Sequence, residues 1–176
     1  TALLEPLNAA LSGPDVEIRR VVADSRLARP GDLFVPLVAE RDGHEFIASA
    51  LAAGASASLS SRSVADLGVD GSHSVVVVAD TARALDDLAV LARSRLSARV
   101  IGVTGSVGKT TVKDMAASVL ATTLSTSASE RSFNNEIGVP LTLANAPEGT
   151  EALVVEMGAR GPGHVAALCR LARPEV

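Results

Sequence analysis

The sequence predicts an α/β protein in two parts. A small mixed α/β unit occupies residues 1–98, and the first half of a parallel-sheet unit with a phosphate-binding loop occupies 99–176. Three observations carry this. The run Gly105-Ser106-Val107-Gly108-Lys109-Thr110-Thr111 lies between the apolar stretch Val100 to Val103 and a segment of helical spacing, Val112 to Leu120. Strand, glycine-rich turn, Gly-Lys-Thr and helix is the context in which backbone N–H groups cradle phosphate. The apolar run Ala152 to Val155 then reads as a second buried strand, the alternation expected of a parallel sheet. Finally, the short polar stretch Ser97-Ala98-Arg99 separates this pattern from what precedes it.

Taken in order, residues 1–12 have the spacing of a short amphipathic helix closed by Gly13-Pro14. Val16 to Ala23 alternates apolar and polar residues and reads as a strand. Pro30-Gly31-Asp32 is a turn before the apolar strand Leu33-Phe34-Val35. Gly43-His44-Glu45 leads into a helix over Phe46 to Ala53, stopped by Gly54. Ala57 to Ser60 and Ser74 to Val78 are further strands, and Thr81 to Leu96 is a helix capped by Asp80 or Thr81. Beyond the linker the pattern is strand, loop, helix, strand, helix, with Pro162 suited to the first turn of the last helix. Arg173 to Val176 reads as the approach to another strand, so the sequence is expected to be a fragment of a longer chain.

The loop is a shortened form of the phosphate-binding pattern, because Val103 stands where the full pattern has its first glycine. Its glycines allow the backbone to turn N–H groups onto phosphate oxygens, and the helix N-terminus adds partial positive charge. Lys109 can reach the outer phosphates, and the Thr110 hydroxyl can ligate Mg²⁺. A plain Gly-Ser turn before a helix is the alternative.

Three clusters accompany the loop. Glu156 ends its strand at the same sheet edge from which the loop leaves, where ligands of open parallel sheets bind. A carboxylate there can hold a metal ion, or can be a solvated loop group. Asn134 and Asn135, within Phe133 to Pro140, can bind a ligand or cap a helix. In the first part, Arg26 can fork onto a phosphate, and Ser25 and His44 can hydrogen-bond a base or pyrophosphate. The alternative there is a surface turn with an ion pair.

Bulk properties exclude several classes. Net charge is −4, with three Phe and no Trp or Tyr, which argues against nucleic-acid binding. No apolar run reaches spanning length, so no membrane insertion is expected. The single Cys169 fits a reducing compartment and a packing role on a helix, and a cytoplasmic protein is expected. His73 and His164 read as surface residues, and no Asn-Lys-x-Asp motif supports a GTPase.

Together these segments resemble the Mur ligases of bacterial cell-wall synthesis. Ala23-Asp24-Ser25-Arg26, Pro30 to Val35 and Asp42-Gly43-His44-Glu45-Phe46 are similar to the family's uridine-binding N-terminal domain. Thr104 to Thr111 is the phosphate loop shared by Mur ligases and folylpolyglutamate synthases. Phe133 to Leu143 with Glu156-Met157-Gly158-Ala159 resembles the subgroup that adds D-alanyl-D-alanine to UDP-N-acetylmuramoyl-tripeptide. Val107, Ala23, Ser132 and a shortened Glu40-Arg41-Asp42 loop depart from common family residues.

The resemblance implies an ATP- and Mg²⁺-dependent amide ligase working through an acyl phosphate, and a monomer. Gly105 to Thr111 would bind ATP, Lys109 and Glu156 would be catalytic, and Thr110 and Glu156 would hold Mg²⁺. Ser25, Arg26, His44, Asn134 and Asn135 would bind the UDP-muramoyl substrate. The chain alone is expected to be inactive. A sibling ligase adding a different amino acid, or a non-catalytic nucleotide-binding module, are the alternatives.

Overall fold

The computed structural model describes residues 2–131 and 133–176; the Ser132 departure lies outside them. The chain forms two compact units that part between Asp87 and Leu88.

The first unit is a five-stranded sheet of β1 (Ala10–Ser12), β2 (Arg20–Val22), β3 (Asp32–Phe34), β4 (Ala57–Ser60) and β5 (Ser74–Val77) in the order β1-β5-β4-β3-β2. β2 to β5 run parallel, and β1 adds antiparallel to β5 through the pair Leu11 and Val76. The core gathers Val22, Phe34, Ile47, Ala50 and Leu51, with α1 (Ile47–Ala52) packed among them. Asp32 is buried on β3 and held by its cross-strand partner Arg20 through bonds of 2.9 and 2.6 Å, plus the Arg29 N–H at 2.8 Å. A buried carboxylate is tolerable only when paired in this way.

The helix expected over residues 1–12 does not form. Residues 2–8 are turns, with the Leu7 N–H donating to Leu3 O at 3.2 Å and the Ala9 N–H to Leu4 O at 2.9 Å. Pro6 carries no N–H to continue a helix, and Asn8 turns left-handed at φ 47°. Ala10–Ser12 then gain a ladder on the open edge of β5.

The division between units falls within α2 (Thr81–Arg95), upstream of the Ser97–Arg99 stretch. Asp80 caps this helix, its Oδ1 accepting from the N–H groups of Ala82 at 2.8 Å and Arg83 at 3.0 Å.

The second unit has three parallel strands, β6 (Arg99–Val103), β7 (Thr126–Ala128) and β8 (Ala152–Glu156), in the order β6-β8-β7. β8 is central and every residue in it is buried. Leu153, Val155 and Met157 pack with Val139, Leu143 and Leu168 of α4 (Gly138–Ala144) and α5 (His164–Ala172). Alternation along the strand turns Ala152, Val154 and Glu156 to the opposite face, beside α3 (Lys109–Leu120). α3 exposes Val112, Met115 and Val119. β7 is an addition to the sequence pattern, and α4 is a helix that only the capping alternative for Asn134 and Asn135 implies. The residues after α5 run along β6, with the Glu175 N–H donating to Val100 O and the Gly102 N–H to Val176 O, each at 2.8 Å.

Candidate functional site

β6 ends at Val103, and the chain turns through Thr104 to Gly108 into α3. Gly105 and Gly108 have φ of 150° and 78°, values that side chains rarely adopt. Gly108 is the N-cap of α3, so the first-turn N–H groups have no acceptor one turn back and face the loop. Gly105, Ser106, Val107 and Gly108 are all exposed, as are Thr110 and Thr111. The Lys109 ammonium folds over the turn and donates to Gly105 O at 2.9 Å. An arrangement of backbone donors with one cation can take a polyphosphate.

Glu156 lies at the end of β8 and is 1% exposed. Its Oε2 accepts from the Thr110 hydroxyl at 2.9 Å, and its Oε1 accepts from Asn134 Nδ2 at 2.7 Å. The Thr110 hydroxyl and the Glu156 carboxylate thus lie side by side, and both are the oxygen donor types that Mg²⁺ takes. Among the described residues no group of three or more His, Cys, Asp or Glu could hold a metal. An ion at Thr110 and Glu156 would therefore need phosphate and water oxygens as well, the usual Mg²⁺ pattern.

The two asparagines divide their work. Asn135 Oδ1 accepts from the N–H groups of Ile137 at 3.2 Å and Gly138 at 2.8 Å and so caps α4. Asn134 reaches Glu156, while its carbonyl accepts from the Gly158 N–H at 2.6 Å. A Cβ at Gly158 would lie 2.9 Å from Asn134 Oδ1, so any side chain there would push the amide aside.

Sequence reading missed Lys113 and Ser129. Lys113 is 3% exposed, and its ammonium donates to Ser129 O at 2.8 Å and Arg131 O at 3.2 Å. The Ser129 hydroxyl in turn accepts the Glu156 N–H at 3.1 Å. The available signal was spacing: Lys113 follows Lys109 by one helical turn and shares a face with Thr110.

In the first unit, Asp24 caps the short 3₁₀ turn Ser25–Leu27 and pairs with Arg26 at 2.6 Å. The Arg26 side chain holds the Asp24 carboxyl below its ordinary range, and Asp24 raises the guanidinium. Arg26 is 86% exposed and Ser25 half-buried. His44 is different. Its Nδ1 lies 2.6 Å from Asp42 Oδ1 and its Nε2 accepts from the Ser61 N–H at 3.0 Å, an arrangement that places the ring proton on Nδ1. With its side chain 1% exposed, both nitrogens are engaged internally. Asp42 also pairs with Arg62. The His44 backbone N–H, then its ring, lower the Asp42 carboxyl.

Residues 103–176 match the Mur ligase middle domain. The chain is 43% identical over 177 residues to the UDP-N-acetylmuramoyl-tripeptide–D-alanyl-D-alanine ligase of Bacillus subtilis (strain 168), and 40% identical over 174 residues to that of Escherichia coli (strain K12). Each match takes in 98% of this chain, which spans 38% and 37% of the two relatives' lengths. MurF from Acinetobacter baumannii superposes with a TM-score of 0.85 at 32% identity, over 98% of this chain and 38% of its own. MurF ligase from Thermotoga maritima, solved in complex with ADP, superposes with a TM-score of 0.74 at 38% identity, over 89% of this chain and 36% of its own.

Proposed function

The chain belongs to the Mur ligase family, and on that footing we propose that it serves an ATP-dependent ligase joining D-alanyl-D-alanine to UDP-N-acetylmuramoyl-tripeptide. Residues 1–98 would hold the UDP-muramoyl end, and 99–176 would be the first part of the ATP-binding domain. The single observation that carries this is the buried Glu156 carboxylate, met by Thr110 of the phosphate loop on one oxygen and by Asn134 on the other. The substrates are those of the relatives, and the ADP complex of one neighbour supports a nucleotide at the loop.

The reaction moves the γ-phosphoryl group of ATP to the substrate's terminal carboxylate. ADP is released in that step. The amine of the dipeptide then attacks the acyl carbon, the acyl C–O bond to phosphate breaks, phosphate leaves with that electron pair, and the nitrogen gives up a proton as the amide forms. The residues described above divide this work by position and charge. The N–H groups of Gly105 to Thr111 would cradle the phosphates. Lys109 would leave Gly105 O and neutralise the outer oxygens. Thr110 and Glu156 would hold Mg²⁺, which would supply charge neutralisation when bound. Asn134, fixed by Glu156 and Gly158, would orient the muramoyl substrate, with Asn135 holding the α4 N-terminus beside it. Ser25 and Arg26 would meet the uridine diphosphate, and His44 would serve the same end by tying Asp42 to Ser61. A cytoplasmic location and a monomer complete the proposal.

The test is phosphate release by the full-length protein with ATP, Mg²⁺ and UDP-muramoyl-tripeptide, with and without D-alanyl-D-alanine. Release that requires the dipeptide is expected. Release that responds instead to a single amino acid would move the protein to a sibling ligase. No release in any combination would leave a nucleotide-binding module.

A further inference from the structure

Lys113 is the one buried lysine among the described residues of the second unit, and packing does not explain it. A charged side chain at 3% exposure is costly unless its donors are met. An ammonium has three N–H groups. Here they find Ser129 O at 2.8 Å, Arg131 O at 3.2 Å and Asp114 Oδ1 at 2.8 Å. Two of these acceptors lie on the segment that leads from β7 to Asn134. Arg131 is held at φ 48°, a left-handed conformation that a non-glycine residue keeps only when its surroundings impose it. Ser129 is tied again through its hydroxyl, which accepts the Glu156 N–H at 3.1 Å. The same helix carries Lys109 and Thr110 in its first turn, so one rigid element reaches both the phosphate loop and the path to Asn134.

We propose that Lys113 is a positioning residue for phosphoryl transfer. Its ammonium pins residues 129–131 to α3 and thereby sets Asn134 against Glu156. Lys113 itself touches no substrate. The kinetic part of this inference rests on the ligase reading above; the structural part does not.

The experiment uses the full-length protein and the substitution Lys113→Met, which keeps an unbranched side chain one atom shorter and removes its charge. In phosphate release, kcat should fall about tenfold or more with the KM for ATP within about twofold, because the phosphate loop is intact. Adding Asn134→Ala to Lys113→Met should cost little beyond the larger single loss, since both act at one place. Lys113→Arg, which keeps a cation with several donors, should recover most of the turnover. In parallel, hydrogen exchange should speed up over residues 129–138 and at Gly158 while the centre of β8 stays protected. Should Lys113→Met fail to fold, Lys113→Gln carries the same comparisons. Additive losses with Asn134→Ala would make Lys113 a support of the core alone and overturn the proposal. Unchanged exchange over 129–138 would overturn it whatever the kinetics. If the unsubstituted protein releases no phosphate, the ligase reading fails, and the exchange measurement still decides whether Lys113 sets Asn134.

Discussion

The two polar clusters of this chain are built on opposite principles. Around Glu156, side chains from three separated segments converge on one buried carboxylate: Thr110 from α3, Asn134 from the loop before α4, and Glu156 from β8. Around Asp24 and Asp42, the partners are mostly neighbours in sequence, and the groups satisfy one another locally. A converging site concentrates unlike groups on one small volume and suits chemistry. A set of local turns presents exposed groups such as Arg26, paired with Asp24, at the surface, and keeps others, such as His44, as struts.

The hardest blow to this contrast should come at Lys109. Its ammonium donates to the carbonyl of Gly105, on an exposed loop, so Lys109→Ala should leave thermal stability nearly unchanged. Phosphate release should drop by roughly three orders of magnitude, the scale of losing a fixed charge at a phosphoryl-transfer site. Near-normal turnover would remove the phosphate loop from the chemistry.

His44 tests the strut reading of the first unit. His44→Ala strands the Ser61 N–H and empties a buried space, and should cost about 2–3 kcal/mol in urea unfolding. A variant with unchanged stability but a raised KM for the UDP substrate would show that the ring meets the ligand directly, and the contrast between clusters would fail.

Arg26 and Ser25 give a smaller effect of the opposite kind. Arg26→Ala should raise the KM for the UDP substrate about tenfold, the scale of one charge-assisted contact, with kcat and the unfolding midpoint little changed because its pair with Asp24 is exposed. Ser25→Ala should act in the same direction and less. A change confined to the KM for ATP would argue against a uridine site in this unit.

How far each region could be read from sequence follows from the same contrast. The phosphate loop is legible because consecutive residues carry it, and Glu156 is legible because a strand's end predicts its place. Lys113 and Ser129 meet across 16 positions of chain, and no local pattern announces that contact. Asn134 and Asn135 look equivalent in sequence, yet one caps α4 and the other reaches Glu156, a difference set by the backbone turn between them. The leucine spacing of residues 1–12 mimics a helix, and only the distant edge of β5 explains why Ala10–Ser12 extends instead. β7 escapes an apolar pattern because Thr126 and Ser127 are polar, and α4 begins with Gly138 and contains Pro140, both poor helix formers.

Asp86 offers the smallest and most discriminating comparison with Glu156, since both are carboxylates removed from water to some degree. Glu156 is met by two donors, whereas burial pushes the Asp86 carboxyl up, helped by the negative charges of Asp87 and Asp80. A folded-state pKa above the unfolded one stabilises the fold below the unfolded pKa, and that contribution is lost as pH rises through the folded pKa. At neutral pH the ionised Asp86 is therefore a cost. Asp86→Asn should raise the unfolding free energy at pH 7 by no more than about 0.5 kcal/mol, the group being half open to solvent. The gain should shrink toward zero as pH falls below the range where aspartate ionises. Asp42 works in the other direction: its lowered pKa gives stability above the unfolded pKa that disappears as pH falls through the folded one. Unfolding midpoints of the parent and Asp86→Asn proteins from pH 3 to pH 7 check the sign. A gain that stays constant across that range would make the effect one of packing, and would take Asp86 out of the comparison.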